Sequence, residues 1–191
     1  MMKVPLRNFL LLPLALVALP AAAHSGHGRE TVGFLAGLAH PFSGFDHLLA
    51  MLAVGLWSAT TMRRIWLAPL TFAGVLLLGA LLAANGLTLP AIEPMIAVSV
   101  LVLGLLIMAR VRLPESVATA LVVAFALFHG AAHGAELGAS IALAGMGIAT
   151  ALLHGAGIGA GFWLRMRSRW WQRGIGAGIA LTGVGLAFNL A

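Results

Sequence analysis

The sequence predicts an all-α integral membrane protein, a six-helix transmembrane bundle that remains once an N-terminal signal peptide has been removed. Three observations carry this prediction. The 191 residues are 61% apolar and only 8% charged, whereas about a quarter of a soluble domain is charged. Apolar stretches close to the roughly 20 residues that cross a bilayer recur along the chain. Arginines also cluster in alternate connections between those stretches, as loops on one side of a membrane would. The mean hydropathy of +1.05 leaves too little polar surface for a water-soluble particle. Several functions are excluded as well. With no cysteine there is no disulfide framework, thiolate zinc site or iron–sulfur centre. Lys3 is the only lysine, so no glycine-rich loop ends in Gly-Lys to cradle a nucleotide.

The first element is an address. Lys3 and Arg7 precede the apolar run Phe9 to Leu19, which ends in Pro20-Ala21-Ala22-Ala23. A basic start, a short apolar centre and a small-residue end describe a secretory signal peptide, and the run is too short to span. Residues 1–23 are therefore expected to be a cleavable signal peptide. Residues 24–191 then form one six-span membrane domain, with His24 at its start.

The mature chain divides into apolar stretches at 31–61, 65–87, 91–109, 115–137, 139–163 and 174–190. Arg63 and Arg64, then Arg110 and Arg112, then the run Arg165 to Arg173 fall in the first, third and fifth connections, and the second and fourth carry none. Positive charge stays cytoplasmic, which puts the mature N-terminus and the C-terminus on the outer side of the membrane. The net charge of +6 and the pI near 11.8 then reflect topology and imply no nucleic-acid partner. Of the 24 glycines, many crowd the last two spans, where small residues let helices approach closely in lipid. The two halves of the chain show no convincing sequence echo.

Ionisable groups inside the apolar layer point to function, because each costs a few kcal/mol there on the insertion scale. Glu30 and Glu115 sit at span ends, but Asp46, Glu93, Glu136, His40, His47, His129, His133 and His154 do not escape that cost. The first span reads His40-Pro41-Phe42-Ser43-Gly44-Phe45-Asp46-His47. On a straight helix His40 and His47 share a face but stand about 10 Å apart along the axis. A helix broken at Pro41/Gly44 would let His40, Asp46 and His47 converge. The fourth span ends Phe128-His129-Gly130-Ala131-Ala132-His133-Gly134-Ala135-Glu136. Offsets of 0, 4 and 7 put His129, His133 and Glu136 on one face, within expected reach of a single ion. Two imidazoles and a carboxylate suit a divalent first-row metal. Gly130 stands where a His-Glu-x-x-His protease helix has its catalytic Glu, so that chemistry is not indicated.

Lesser candidates complete the set. Glu93, before Pro94 at the start of the third span, is expected to draw cations or to lie at the interface. His154 in the fifth span is either a packed buried histidine or a further ligand. His24 and His27, in His24-Ser25-Gly26-His27, would offer imidazoles at the mature N-terminus. Met51, one turn after His47, reads as packing.

The His40-x5-Asp46-His47 spacing and the stretch Phe128-His-Gly-Ala-Ala-His-Gly-Ala-Glu136 together resemble the HupE/UreJ family. Glu93 followed by Ser99 fits that family's third-span pattern, and the likeness runs over the whole chain. Members are bacterial membrane accessories of nickel hydrogenase and urease, regarded as nickel and sometimes cobalt permeases. The resemblance implies that His40, Asp46, His47, His129, His133 and Glu136 form a metal path, with Glu93 as an addition. It also implies a metallochaperone or nickel-enzyme maturation proteins as partners. His154 is not in those motifs.

The expected function is thus a secondary permease, not an enzyme, importing Ni²⁺ through a site lined by His, Asp and Glu. Ni²⁺ is its cargo, with Co²⁺ or Zn²⁺ compatible with the same donors, and no permanent cofactor is expected. The alternative is an intramembrane zinc-dependent hydrolase, in which Ser43, Asp46 or Glu136 would handle protons. A b-type haem protein ranks below both, since it leaves the carboxylates unexplained.

Overall fold

A computed structural model describes residues 33–189. The expected signal peptide, residues 1–23, and His24 and His27 lie outside the described residues. The described residues run through seven helices: α1 Phe34–Ser43, α2 Phe45–Thr61, α3 Leu67–Ala84, α4 Ile92–Ala109, α5 Glu115–Leu137, α6 Ala142–Arg165 and α7 Arg169–Asn189. Helices α3 to α6 are each long and apolar enough to cross a membrane, and α1 with α2 qualifies as a pair bent by 86°. The chain is a multi-pass membrane protein.

The break in the first unit falls at Gly44, which is both the last cap of α1 and the first cap of α2. Pro41 stays inside α1. Its missing N–H loosens the turn, and the helix ends two residues later. Gly44 is extended (φ −100°, ψ 111°), a conformation open to any residue. Its value is space, because a Cβ there would stand 3.0 Å from Asp46 Oδ1 and 3.2 Å from His47 Nδ1.

Helix ends follow local chemistry. Gly86 (φ 99°) follows α3 and Gly138 (φ 61°) caps α5, both in conformations that glycine reaches without penalty. Pro114 caps the start of α5. The predicted span at 174–190 falls on α7 as far as Asn189, and α7 is not among the helices apolar enough to cross by length and composition. Its opening Arg169-Trp-Trp-Gln-Arg173 and its glycines lower its hydropathy.

Those glycines weld the helices in pairs. A side chain at Gly176 or Gly183 of α7 would strike the α4 backbone at Met108 or Leu101, and one at Gly104 of α4 would strike Ala180. Gly130 and Gly134 of α5 lie against the Leu76 and Ala80 carbonyls of α3. Helix α6 meets both halves of the broken unit, with Gly145 on the Phe34 carbonyl of α1 and Gly157 on the Leu52 carbonyl of α2. Lipid offers no hydrophobic drive for association, so such backbone contact supplies the packing. With α1–α2 counted as one unit, exchanging the first three units with the last three maps the α2–α6 pairing onto α3–α5 and α4–α7 onto itself. This symmetry in packing has no counterpart in the residue order. Between the pairs sits an apolar core that includes Met51, Trp57, Phe72, Leu76, Leu103 and Met146, so Met51 packs as expected.

Aromatic and basic groups gather around the connection between α6 and α7. The Arg167 guanidinium lies 4.7 Å from the Trp163 ring and that of Arg173 lies 5.1 Å from Trp170. Tryptophan beside arginine marks a membrane–water boundary. Arg63, Arg64, Arg112 and Arg165 also line one open basin of about 1200 Å³ at the connections α2–α3 and α4–α5.

Candidate metal centre

The break at Gly44 and the last turns of α5 meet to build the site. His40 is carried by the last turn of α1, and His133 and Glu136 by the end of α5. His40 Nε2 lies 2.9 Å from His133 Nδ1 and 3.0 Å from Glu136 Oε2. All three ligand atoms fall within 4.8 Å of one another, a spacing that one cation can bridge. His40, Ser43, Gly44, His47, His133 and Glu136 line a cleft of about 10 Å³ beside them. That is room for about one water-sized particle.

Asp46 and His47 form a second tier on the first turn of α2. Asp46 Oδ1 accepts the His47 backbone N–H at 2.8 Å and the His47 Nδ1–H at 2.9 Å. An acidic residue in the first turn suits the helix dipole, and the backbone bond satisfies one of the free amides there. The carboxylate also orients the imidazole through Nδ1, which is how carboxylates commonly support metal-binding histidines. His47 then meets α5: its ring lies 4.4 Å from that of His133 and 5.0 Å from that of His129.

His129 does not join the outer three. Its Nδ1–H donates to the Phe125 carbonyl at 3.0 Å, which turns Nε2 inward. A shared face is not a shared depth: seven residues of helix separate His129 from Glu136 by about 10 Å along the axis. Across the break, His47 of α2 lines the same cleft as His40 of α1, but neither it nor Asp46 joins the cluster of His40, His133 and Glu136. Exposure falls along the series, from 43% for the Glu136 side chain and 19% for His40 to 2% for His133 and 0% for His129.

Nε2 of His47, His129, His133 and His154 is buried without a hydrogen-bond partner. A buried polar atom left unpaired costs about 1–3 kcal/mol, so four such ring nitrogens in one bundle make them candidates for a ligand. His154 stands apart on α6, with its ring 5.3 Å from that of Phe72, which in turn lies 5.3 Å from His129. Glu93 is exposed in the first turn of α4 and does not line the cleft. Ser99 is buried and donates to the Ile96 carbonyl of its own helix, so it serves packing.

Two residues near the site escaped the reading of the sequence. Phe72, an apolar residue in an apolar helix, offered no signal. Thr150 did offer one, since it precedes His154 by four residues on the same face.

The model of the HupE/UreJ protein family matches residues 12–186. Protein HupE of Rhizobium leguminosarum bv. viciae is 46% identical over 151 residues, covering 76% of this chain and 79% of that protein. No solved structure matches the chain. With its two histidine motifs meeting at the broken first unit, the chain belongs to the HupE/UreJ family.

Proposed function

We propose that this protein is a secondary permease that brings Ni²⁺ across the bacterial inner membrane to supply nickel enzymes. The observation that carries this reading is the meeting of His40, His133 and Glu136 within 4.8 Å, at a cleft of about 10 Å³. The donors fit a borderline divalent cation. A bare ion fits the space, whereas the ester or amide of a hydrolase substrate does not.

In this reading residues 1–23 are removed as a signal peptide and the mature domain crosses six times, with α1–α2 as the first crossing and α7 as the last. The arginine-rich connections face the cytoplasm and both mature termini face the periplasm. The ion enters where Glu136 is exposed and His40 partly so, Glu93 adds negative charge at the same face, and His24 and His27 would extend the capture zone. It sheds water onto His40, His133 and Glu136 and passes to His47, held by Asp46, and then to His129.

Broken helices at ion sites are a recurring device of transporters, because their free backbone ends and hinge residues serve binding and gating. For a dication an inside-negative potential supplies about 4.6 kcal/mol per 100 mV, enough for roughly a thousandfold gradient. Nickel-enzyme maturation proteins or a metallochaperone would receive the ion at the cytoplasmic face. Proteoliposomes holding the purified protein test the reading: Ni²⁺ uptake that saturates and follows the imposed potential is the expected result.

A further inference from the structure

Beyond His129 the apolar core contains one more place with unpaired polar atoms. His154 is 2% exposed and Thr150 is fully buried. His154 Nε2 and Thr150 Oγ1 both lack a hydrogen-bond partner. Four residues apart on α6, they lie on one face about 6 Å apart along the axis. The bare hydroxyl is telling. Thr60, Thr61, Thr119 and Thr182 each donate to the carbonyl four residues back. Thr150 has the same opportunity and is at least as deeply buried, yet it makes no such bond.

The surroundings hold His154 in place. A side chain at Gly55 of α2 would strike the His154 carbonyl, so α2 and α6 lie backbone to backbone at this level. On another side, the Phe72 ring of α3 stands edge-on to His154 at 88° and to His129 at 65°. One aromatic ring thus touches both the last imidazole of the α5 motif and His154.

We propose that His154 and Thr150 form an inner cation station, reached from His129 when the Phe72 ring swings aside. This rests on the permease reading. The station takes the same borderline divalent ion through an imidazole nitrogen and a hydroxyl oxygen, with water completing the shell. Lacking a carboxylate, it binds more weakly than the outer three residues, as an ion that must leave requires.

The test uses the full mature chain and Ni²⁺ itself, comparing wild type with His154→Ala, His154→Gln, Thr150→Val and His40→Ala. In detergent, wild type is expected to bind a tight and a second, weaker Ni²⁺. His154→Ala and Thr150→Val lose only the weaker ion, and His40→Ala weakens only the tight one. In proteoliposomes His154→Ala lowers uptake at least tenfold and Thr150→Val several-fold, while tight binding stays within twofold of wild type. His154→Gln keeps the volume and a polar end, so its failure to restore uptake separates ligation from packing. Wild-type uptake in the His154 and Thr150 variants would overturn the station. If wild type itself moves no Ni²⁺, the permease reading fails, and the binding data alone judge the station: a weaker ion that persists in both variants overturns it.

Discussion

His40 and His133 meet Nε2 to Nδ1 at 2.9 Å across 93 residues of sequence. The contact joins the end of a half-helix to the last turns of α5, and Glu136 completes it from one turn further on. A cluster shared between a broken helix and a continuous one can open when either moves, which a permanently closed structural site cannot do.

The second tier tests whether orientation matters as well as ligation. Asp46 holds His47 through two bonds to one oxygen. Asp46→Asn keeps the shape but weakens the hold on the imidazole, and losses of this kind are about 10–100-fold in metal affinity or activity. Ni²⁺ uptake is expected to fall within that range while the thermal midpoint in detergent stays near that of wild type.

Gly44→Ala and Pro41→Ala separate the two residues expected to break the first span. A Cβ at Gly44 intrudes on Asp46 and His47, so Gly44→Ala should lower uptake several-fold. Pro41 already sits inside α1, so Pro41→Ala should have the smaller effect. Initial uptake rates of the two variants decide the order.

Glycine positions divide by what a side chain would meet. At Gly130 it would strike the Leu76 carbonyl, and at Gly155 nothing lies within 4 Å. Gly130→Ala is expected to cost about 1–3 kcal/mol through overpacking. Gly155→Ala should be neutral or stabilising by up to about 1 kcal/mol, since alanine favours helix. Unfolding of the two variants in one detergent checks the contrast.

Much of this was legible in the residues. The histidine motifs, the break in the first span and the limits of α5 all follow from spacing and from Pro and Gly chemistry. Depth was harder to read. Offsets of 0, 4 and 7 place His129, His133 and Glu136 along one side of α5, but the axial rise of the helix keeps His129 out of the outer set. That His40 of α1 meets His133 and Glu136 was implied by the resemblance, which put both motifs on one metal path, whereas periodicity alone does not encode it. Phe72 carried no signal because an aromatic residue in an apolar helix looks like any other packing residue. In α7, hydropathy understates packing, because its glycines gain close contact with α4 rather than apolar area.

The absence of cysteine makes topology directly readable. Ser140 lies in the turn between α5 and α6, and Ser168 in the connection between α6 and α7. A membrane-impermeant maleimide added to spheroplasts should label Ser140→Cys and leave Ser168→Cys unlabelled until the membrane is opened. The reverse pattern would invert the proposed orientation.

The central claim is tested most directly by Ni²⁺ uptake into proteoliposomes under an inside-negative potential, with wild type beside His40→Ala and His133→Ala. The account predicts saturable uptake in wild type and a loss of at least tenfold in each variant, since each removes one of three converging ligands. Uptake that survives both substitutions, or bound Ni²⁺ without any uptake by wild type, would contradict it.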